Sequence, residues 1–268
     1  MLNQPEPHDL AELEKSCCEA AQLGGAILKK WLGKTTPKSK GDRDWVTQAD
    51  LESQRVIREF LHQRFPDHRF IGEESIDETP SGSPTSEFCW IVDPLDGTTN
   101  YIHQLPSFAV SVAVYQNQTA LAGAVFDPLV DECFSAANGQ GAKRNGTSIQ
   151  TSPCHELEKS LLIVSFNRGV QRQDPEVTRF LNVLETAGSV RRLGSAALNL
   201  CYVACGRADG YWATSLSQWD VAAGWLIAVE AGACLADFSG APLDLLKPHF
   251  CVTSTQELYN QLLPQLTV

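Results

Sequence analysis

The sequence predicts a mixed α/β fold, α+β in its first half, made of two closely packed halves: residues 1–150 and residues 151–268. Three patterns predict it. Apolar residues recur with helical spacing over residues 10–65, β-rich runs broken by turn dipeptides fill 108–149, and short apolar runs alternate with helical stretches beyond 160. At 268 residues and 43% hydrophobic, the chain can bury one large core or two smaller ones sharing a cleft.

Taking the elements in order, Leu10, Leu13, Cys17, Ala20, Leu23, Ile27 and Trp31 recur at three- and four-residue steps, the stripe of a long amphipathic helix ending near Gly33. Polar residues 35–44, with Pro37 and Gly41, read as a mobile loop. Thr47 starts a second helix whose buried face is Val56, Ile57, Phe60, Leu61 and Phe65, with Pro66 after its end. Residues 69–71 form a short strand leading into Gly72-Glu73-Glu74-Ser75, and 76–86, rich in Pro, Ser, Gly and acids, read as an exposed flap. A compact strand over 88–92 runs into Asp93-Pro94-Leu95-Asp96-Gly97. An antiparallel meander follows, turning at Asn117, Asp127-Pro128, Asn138-Gly139 and Asn145-Gly146. In the second half, strands at 161–166, 190–193, 208–212, 233–237 and 250–253 alternate with helices, clearest at 195–205 and 220–230.

A formal net charge of −11 argues against nucleic acid or an anionic membrane as a partner, since the basic runs at 29–30, 38–43 and 191–192 are short. No apolar stretch approaches the roughly 20 residues of a membrane-spanning helix. The N-terminus has neither the basic start nor the apolar run of a secretory signal, so a cytoplasmic location is expected. Nine cysteines, odd in number and scattered, read as reduced core thiols. Cys201 and Cys205 share a helix face and Cys17-Cys18 are adjacent, but no second Cys/His pair completes a zinc set.

The chemistry concentrates in acids. Asp93 and Asp96 stand where an apolar strand ends, which aims two carboxylates at one point. Gly97 lets the chain approach a ligand closely, with Thr98 and Thr99 beside it. If a helical turn begins there, its N–H groups form a cradle for an anion. Two bare carboxylates about 4 Å apart repel by roughly 1–4 kcal/mol between water and a surface-like dielectric, so a cation must intervene before phosphate can bind. Oxygen donors without Cys or His favour magnesium or manganese. Glu73 and Glu74 lie at another strand end, and Asp220 opens an apolar helix. Taken singly, these are a turn, a solvated acidic pair and a helix cap; their joint presence points to a metal centre.

Those segments, Gly72-Glu73-Glu74-Ser75, Trp90-Ile91-Val92-Asp93-Pro94-Leu95-Asp96-Gly97-Thr98-Thr99-Asn100-Tyr101-Ile102-His103 and Trp219-Asp220-Val221-Ala222-Ala223-Gly224, resemble the inositol monophosphatase family, within the lithium-sensitive phosphatase superfamily that includes fructose-1,6-bisphosphatases. The resemblance implies a layered α-β-α-β-α sandwich, a homodimer, two or three Mg2+ per subunit with Mn2+ as a substitute, and a small phosphorylated metabolite as substrate. It assigns Glu73, Asp93 and the carbonyl of Leu95 to one metal and Asp93, Asp96 and Asp220 to a second, with a weaker third near Glu73 and Glu74. Thr98, oriented by Asp50, would help Glu73 activate the attacking water. The backbone of residues 95–98, including Gly97, would hold phosphate, while Gly194, Ser195, Ala196 and Asp220 line the substrate pocket. The departure is Ala213: inositol-selective relatives carry a glutamate seven residues before the Asp of the Trp-Asp pair. Arg191 and Arg192 suit either a second anionic group or a surface, and the loop lysine of some relatives is either Lys38 or Lys40 here.

One rival is a haloacid-dehalogenase-type phosphatase, which attacks with an aspartate. Its two acids are separated by one residue, whereas Asp93 and Asp96 are separated by Pro94 and Leu95. Another is a binding or regulatory protein on the same fold. No complete Walker-type loop occurs, since Leu28 stands where Gly33-Lys34-Thr35 would need a glycine five residues earlier, and no Gly-x-Ser-x-Gly nucleophile occurs. Inositol 1-phosphate, histidinol phosphate, fructose 1,6-bisphosphate and nucleotide-derived phosphates all remain candidate substrates.

Overall fold

The computed structural model describes residues 9–41, 44–75, 87–167 and 169–267. Helix α1 (Leu10–Trp31) starts on Asp9, whose carboxylate accepts the Ala11 N–H at 2.9 Å. The stretch read as a loop contains a two-stranded hairpin, β1 (Lys38–Gly41) with β2 (Asp44–Val46). All four β1 residues are exposed, so no apolar alternation marked the strand. Helix α2 (Gln48–Arg64) follows the cap Thr47, as expected. The predicted flap at 76–86 lies outside the described residues.

A seven-stranded sheet comes next, in chain order across the sheet: β3 (Arg69–Gly72), β4 (Phe88–Asp96), β5 (Ala109–Gln116), β6 (Thr119–Asp127), β7 (Glu132–Ala137), β8 (Ala142–Arg144) and β9 (Thr147–Ser148). Only β3 and β4 run parallel; the rest is the predicted antiparallel meander. A short helix α3 (Thr98–Ile102) begins directly after β4.

The second half builds a five-stranded sheet, ordered β11-β10-β12-β14-β13, from β10 (Leu161–Ser165), β11 (Ser189–Arg191), β12 (Gly210–Ala213), β13 (Cys234–Ala236) and β14 (Phe250–Thr253). Between these strands run α4 (Pro175–Thr186), α5 (Ala196–Ala204) and α6 (Gln218–Glu230), and α7 (Gln256–Leu266) closes the chain. Strand parity sorts the layers. Val110, Val112 and Val114 of β5 pack with Leu13, Cys17 and Leu28 of α1 and with Ile57 and Leu61 of α2. Ala109, Ala113 and Tyr115, on the opposite face, pack with α5, α6 and Ile163, Tyr211 and Phe250 of the second sheet. Leu162, Val164, Trp212 and Cys251 turn to the far side, against Leu258 and Leu262 of α7. The result is helix, sheet, helix, sheet, helix: the layered sandwich that the resemblance implies. Both sheets are covered on two sides, which is why their strands read as continuous apolar runs rather than alternating ones. Among the described residues, no helix is long and apolar enough to cross a membrane.

Candidate active site

The two acids at the end of β4 meet because the strand is irregular there. Asp93 pairs with Ser111 and Asp96 with Ala109, so three steps along β4 oppose two along β5. On a regular strand, residues three apart face opposite sides. One extra residue reverses that parity and turns both carboxylates to one side. Pro94, which has no N–H to lose from a ladder, sits inside this bulge, and its carbonyl accepts the Ser53 hydroxyl of α2 at 3.0 Å. Asp93 Oδ1 accepts the Leu95 N–H at 3.0 Å. Gly97 then turns the chain with φ +94°; a Cβ there would stand 2.9 Å from the Ser107 carbonyl oxygen. Only glycine combines that angle with that approach.

Asp96 reaches across to the second half. Its Oδ2 accepts the Ser195 hydroxyl at 2.5 Å and the Ala197 N–H at 2.8 Å, and its Oδ1 accepts the Ala196 N–H at 3.1 Å. The carboxylate therefore lies over the open N–H groups at the start of α5. Asn100 makes a parallel link, donating to the carbonyls of Ser107 and Leu193, both at 2.7 Å. Asp220, third residue of α6, accepts the Ser217 N–H at 2.7 Å. Oxygens of Asp93, Asp96 and Asp220 all lie within 4.8 Å of one another.

The remaining predicted acids surround this triad. Asp50 Oδ2 accepts both the N–H and the hydroxyl of Thr47, at 2.8 and 2.7 Å. Its Oδ1 faces the Thr98 hydroxyl at 3.5 Å, and that hydroxyl also lies 3.2 Å from the Leu95 carbonyl oxygen. Glu73 and Glu74 follow β3 in a single 3-10 turn, anchored where the Glu74 N–H donates to Gln54 Oε1 at 2.9 Å. Lys40 of the hairpin resolves the ambiguity with Lys38: its Nζ lies 3.2 Å from Glu73 and 2.5 Å from Glu74. The sequence reading assigned no role to Ser53 and Gln54. The available signal was their position one turn beyond Asp50, on the same helix face as Ile57 and Leu61, where buried polar groups need partners.

Electrostatics make the site unstable as a set of bare anions. Burial, then the charges of Glu73, Asp96 and Asp220, push the Asp93 carboxyl well up. Burial raises Asp96 to about 6 despite its bonds from Ser195, Ala197 and Ala196. Asp220 rises to about 7 through burial and then the Asp96 charge. Glu74 rises to about 7 and Asp50 to about 6, burial being the largest cause in both. For Lys40, burial works against the charge, but Glu73 and Glu74 outweigh it and raise its pKa overall. Hard oxygen donors under mutual repulsion fit Mg2+ or Mn2+, which neutralise such a cluster and accept carboxylates with few other ligands.

A model of the inositol monophosphatase family matches residues 9–267. The chain belongs to that family. It is similar to inositol monophosphatase 1 of Solanum lycopersicum, 40% identical over 240 residues that cover 88% of each chain. It is 37% identical over 257 residues to the Nus factor SuhB of Pasteurella multocida, covering 92% of this chain and 94% of that one. The solved inositol monophosphatase from Anabaena superposes with a TM-score of 0.85 at 37% identity, covering 96% of each chain. Membership makes this protein a phosphatase of the hydrolase class, in a metal-dependent family. Within this inositol monophosphatase fold, the residues expected at the substrate pocket differ in what they offer. The Ser195 hydroxyl and Ala196 N–H are committed to Asp96. Ala213 is fully buried on β12 and brings no charge. Arg191 folds back onto Ser189 and the Val190 carbonyl, whereas Arg192 stands over the Phe166 ring at 5.5 Å.

Proposed function

We propose that this chain is a magnesium-dependent phosphomonoesterase that hydrolyses a small sugar, polyol or amino-alcohol phosphate, with inositol 1-phosphate the first substrate to try. The observation that carries the reading is the meeting of Asp93, Asp96 and Asp220 oxygens within 4.8 Å in a site of oxygen donors. Glu73, Asp93 and the Leu95 carbonyl would hold one ion, and Asp93, Asp96 and Asp220 a second, with Asp93 shared. A weaker third would lie by Glu73 and Glu74. Divalent ions bound there would neutralise the phosphoryl oxygens and lower the pKa of the attacking water.

The chain's own groups would do the rest. Thr98 has one hydroxyl proton and two acceptors, the Leu95 carbonyl and Asp50. Were that carbonyl held by an ion, the Thr98 proton would go to Asp50, leaving the Thr98 oxygen and Glu73 as acceptors for the attacking water. The Leu95 N–H is taken by Asp93, so Gly97 and Thr98, at the open start of α3, are the backbone donors for phosphate. Gly194, Ser195 and Ala196 would shape the pocket beside Asp220. The absence of a carboxylate at Ala213 keeps histidinol phosphate, fructose 1,6-bisphosphate and nucleotide-derived phosphates as alternatives.

Nine free cysteines support a reducing, cytoplasmic setting. A homodimer follows from the family resemblance and is checked by light scattering on the purified protein. Likeness to a protein named Nus factor SuhB favours one further reading, a regulatory binding role on the same fold. Phosphate release from a panel of phosphorylated metabolites, with and without Mg2+ and with Asp93→Asn beside wild type, separates the two. Mg2+-dependent turnover lost in Asp93→Asn, and inhibited by Li+, is expected. No metal-dependent turnover on any member would leave only the binding role.

A further inference from the structure

Away from the acids, a cavity of about 410 Å³ opens between α1, strands β6 and β7 and the β8–β9 turn, lined by Cys18, Phe126, Cys133, Ser135 and Asn145 among others. Two cysteines 115 positions apart in sequence (133 − 18) line it together, Cys18 from α1 and Cys133 from β7. The surroundings are polar and fixed. Asn145 Oδ1 accepts the Cys133 N–H at 2.7 Å, and Ser135 and Lys143 both donate to Glu14, at 2.7 and 2.8 Å. We propose that Cys18 and Cys133 form an oxidation site, in which hydrogen peroxide entering this cavity converts the two thiols into a disulfide that ties α1 to β7.

The reactive partner is Cys18. Cys18 is half-buried at the cavity while Cys133 is buried. Of the nine cysteines Cys18 alone has a lowered pKa, chiefly through the neighbouring Cys133 thiol and with help from the Lys143 charge; Cys133 is pushed up by Cys18 and then by burial, and burial is the main cause that raises the rest. The Cys18 sulfur attacks the peroxide oxygen, an S–O bond forms, the O–O bond breaks, and the leaving oxygen departs as water with the Cys18 proton. The Cys133 sulfur then attacks the Cys18 sulfur; the S–S bond forms, the S–O bond breaks, and a second water leaves with the Cys133 proton. Two thiols are oxidised and one peroxide is reduced to two waters.

The test uses the full chain with Mg2+, treated with hydrogen peroxide and mapped as peptides under non-reducing conditions. Cys17 and Cys18 fall on one peptide, so wild type is run beside C17S, C18S, C89S and C133S, each shown by circular dichroism to keep its fold. A link between the Cys18 and Cys133 segments, two mass units below the reduced pair, is expected in wild type, C17S and C89S and absent from C18S and C133S. Iodoacetamide should label Cys18 several-fold faster than Cys89, Cys154 or Cys205. Oxidised wild type should melt higher than reduced, with no such difference in C133S. A Cys18–Cys17 link, a link between subunits, no link at all, or labelling of Cys18 no faster than of those three cysteines would overturn the proposal.

Discussion

Two helices of this protein open with the same local device and put it to different use. At α2, Asp50 reaches back to its cap Thr47, and at α6, Asp220 reaches back to Ser217, over 2.8 and 2.7 Å. This capping box satisfies exposed N–H groups at a helix start and fixes the acid's rotamer. Asp50 spends one oxygen twice on Thr47 and turns the other to a hydroxyl, Thr98. Asp220 spends one oxygen on a single N–H and brings its carboxylate against Asp93 and Asp96. One carboxylate faces a neighbouring hydroxyl; the other joins the charged cluster. What decides the role is what lies opposite the helix start, a threonine in one case and two strand-end aspartates in the other.

The comparison makes graded predictions. Asp220→Asn removes an acid from the cluster and should lower kcat/KM by about 10³-fold or more, roughly 4 kcal/mol, while raising the Mg2+ needed for half-maximal activity. Steady-state kinetics across a Mg2+ series measures both. Asp50→Asn should cost about 10- to 100-fold, mostly in kcat, with the Mg2+ requirement little changed, since it acts through Thr98. Equal losses in the two variants, with equal shifts in Mg2+ requirement, would erase the distinction.

A smaller effect belongs to the metal-free protein. Burial and mutual charge hold Asp50 and Asp96 at about 6, and Glu74 and Asp220 at about 7, in the folded state. In an unfolded chain such acids titrate near 4. The folded state therefore keeps protons that the unfolded chain has released, and the stability so gained is present at low pH and lost as pH rises through 6 and 7. Thermal melts of metal-free protein should fall from about pH 5 to about pH 8, and saturating Mg2+ should flatten the slope. A melting temperature that climbs over that range would contradict the account. The smallest effect is Thr47→Ala, which removes a cap and one of Asp50's bonds and should cost about 1 kcal/mol in urea unfolding.

Much of this was legible in the sequence. Asp93, Asp96 and Asp220 stood out because acids at the end of an apolar strand and the start of an apolar helix have nowhere to hide their charge. The capping threonine at 47 set the start of α2, and turn residues marked the meander. The strands β1 and β2 were illegible because an exposed strand has no apolar alternation to show. Lys38 and Lys40 could not be told apart by parity, since residues two apart on a strand share a face; only the distance from the hairpin to Glu73 and Glu74 selects Lys40. The Asp96–Ser195 bond joins residues 99 apart and depends on how the halves pack, which no local pattern encodes. The bulge at Pro94 lay between: its residues were visible, but the parity reversal that turns Asp93 and Asp96 to one side needed the β5 register.

The claim beneath all of this is that Asp93, shared between neighbours on either side, gathers divalent cations. Calorimetric titration of metal-free protein with Mn2+ tests it most directly. The account predicts at least two ions bound by wild type and, for folded Asp93→Asn, the loss of tight binding altogether. Unchanged stoichiometry and affinity in that variant would contradict it.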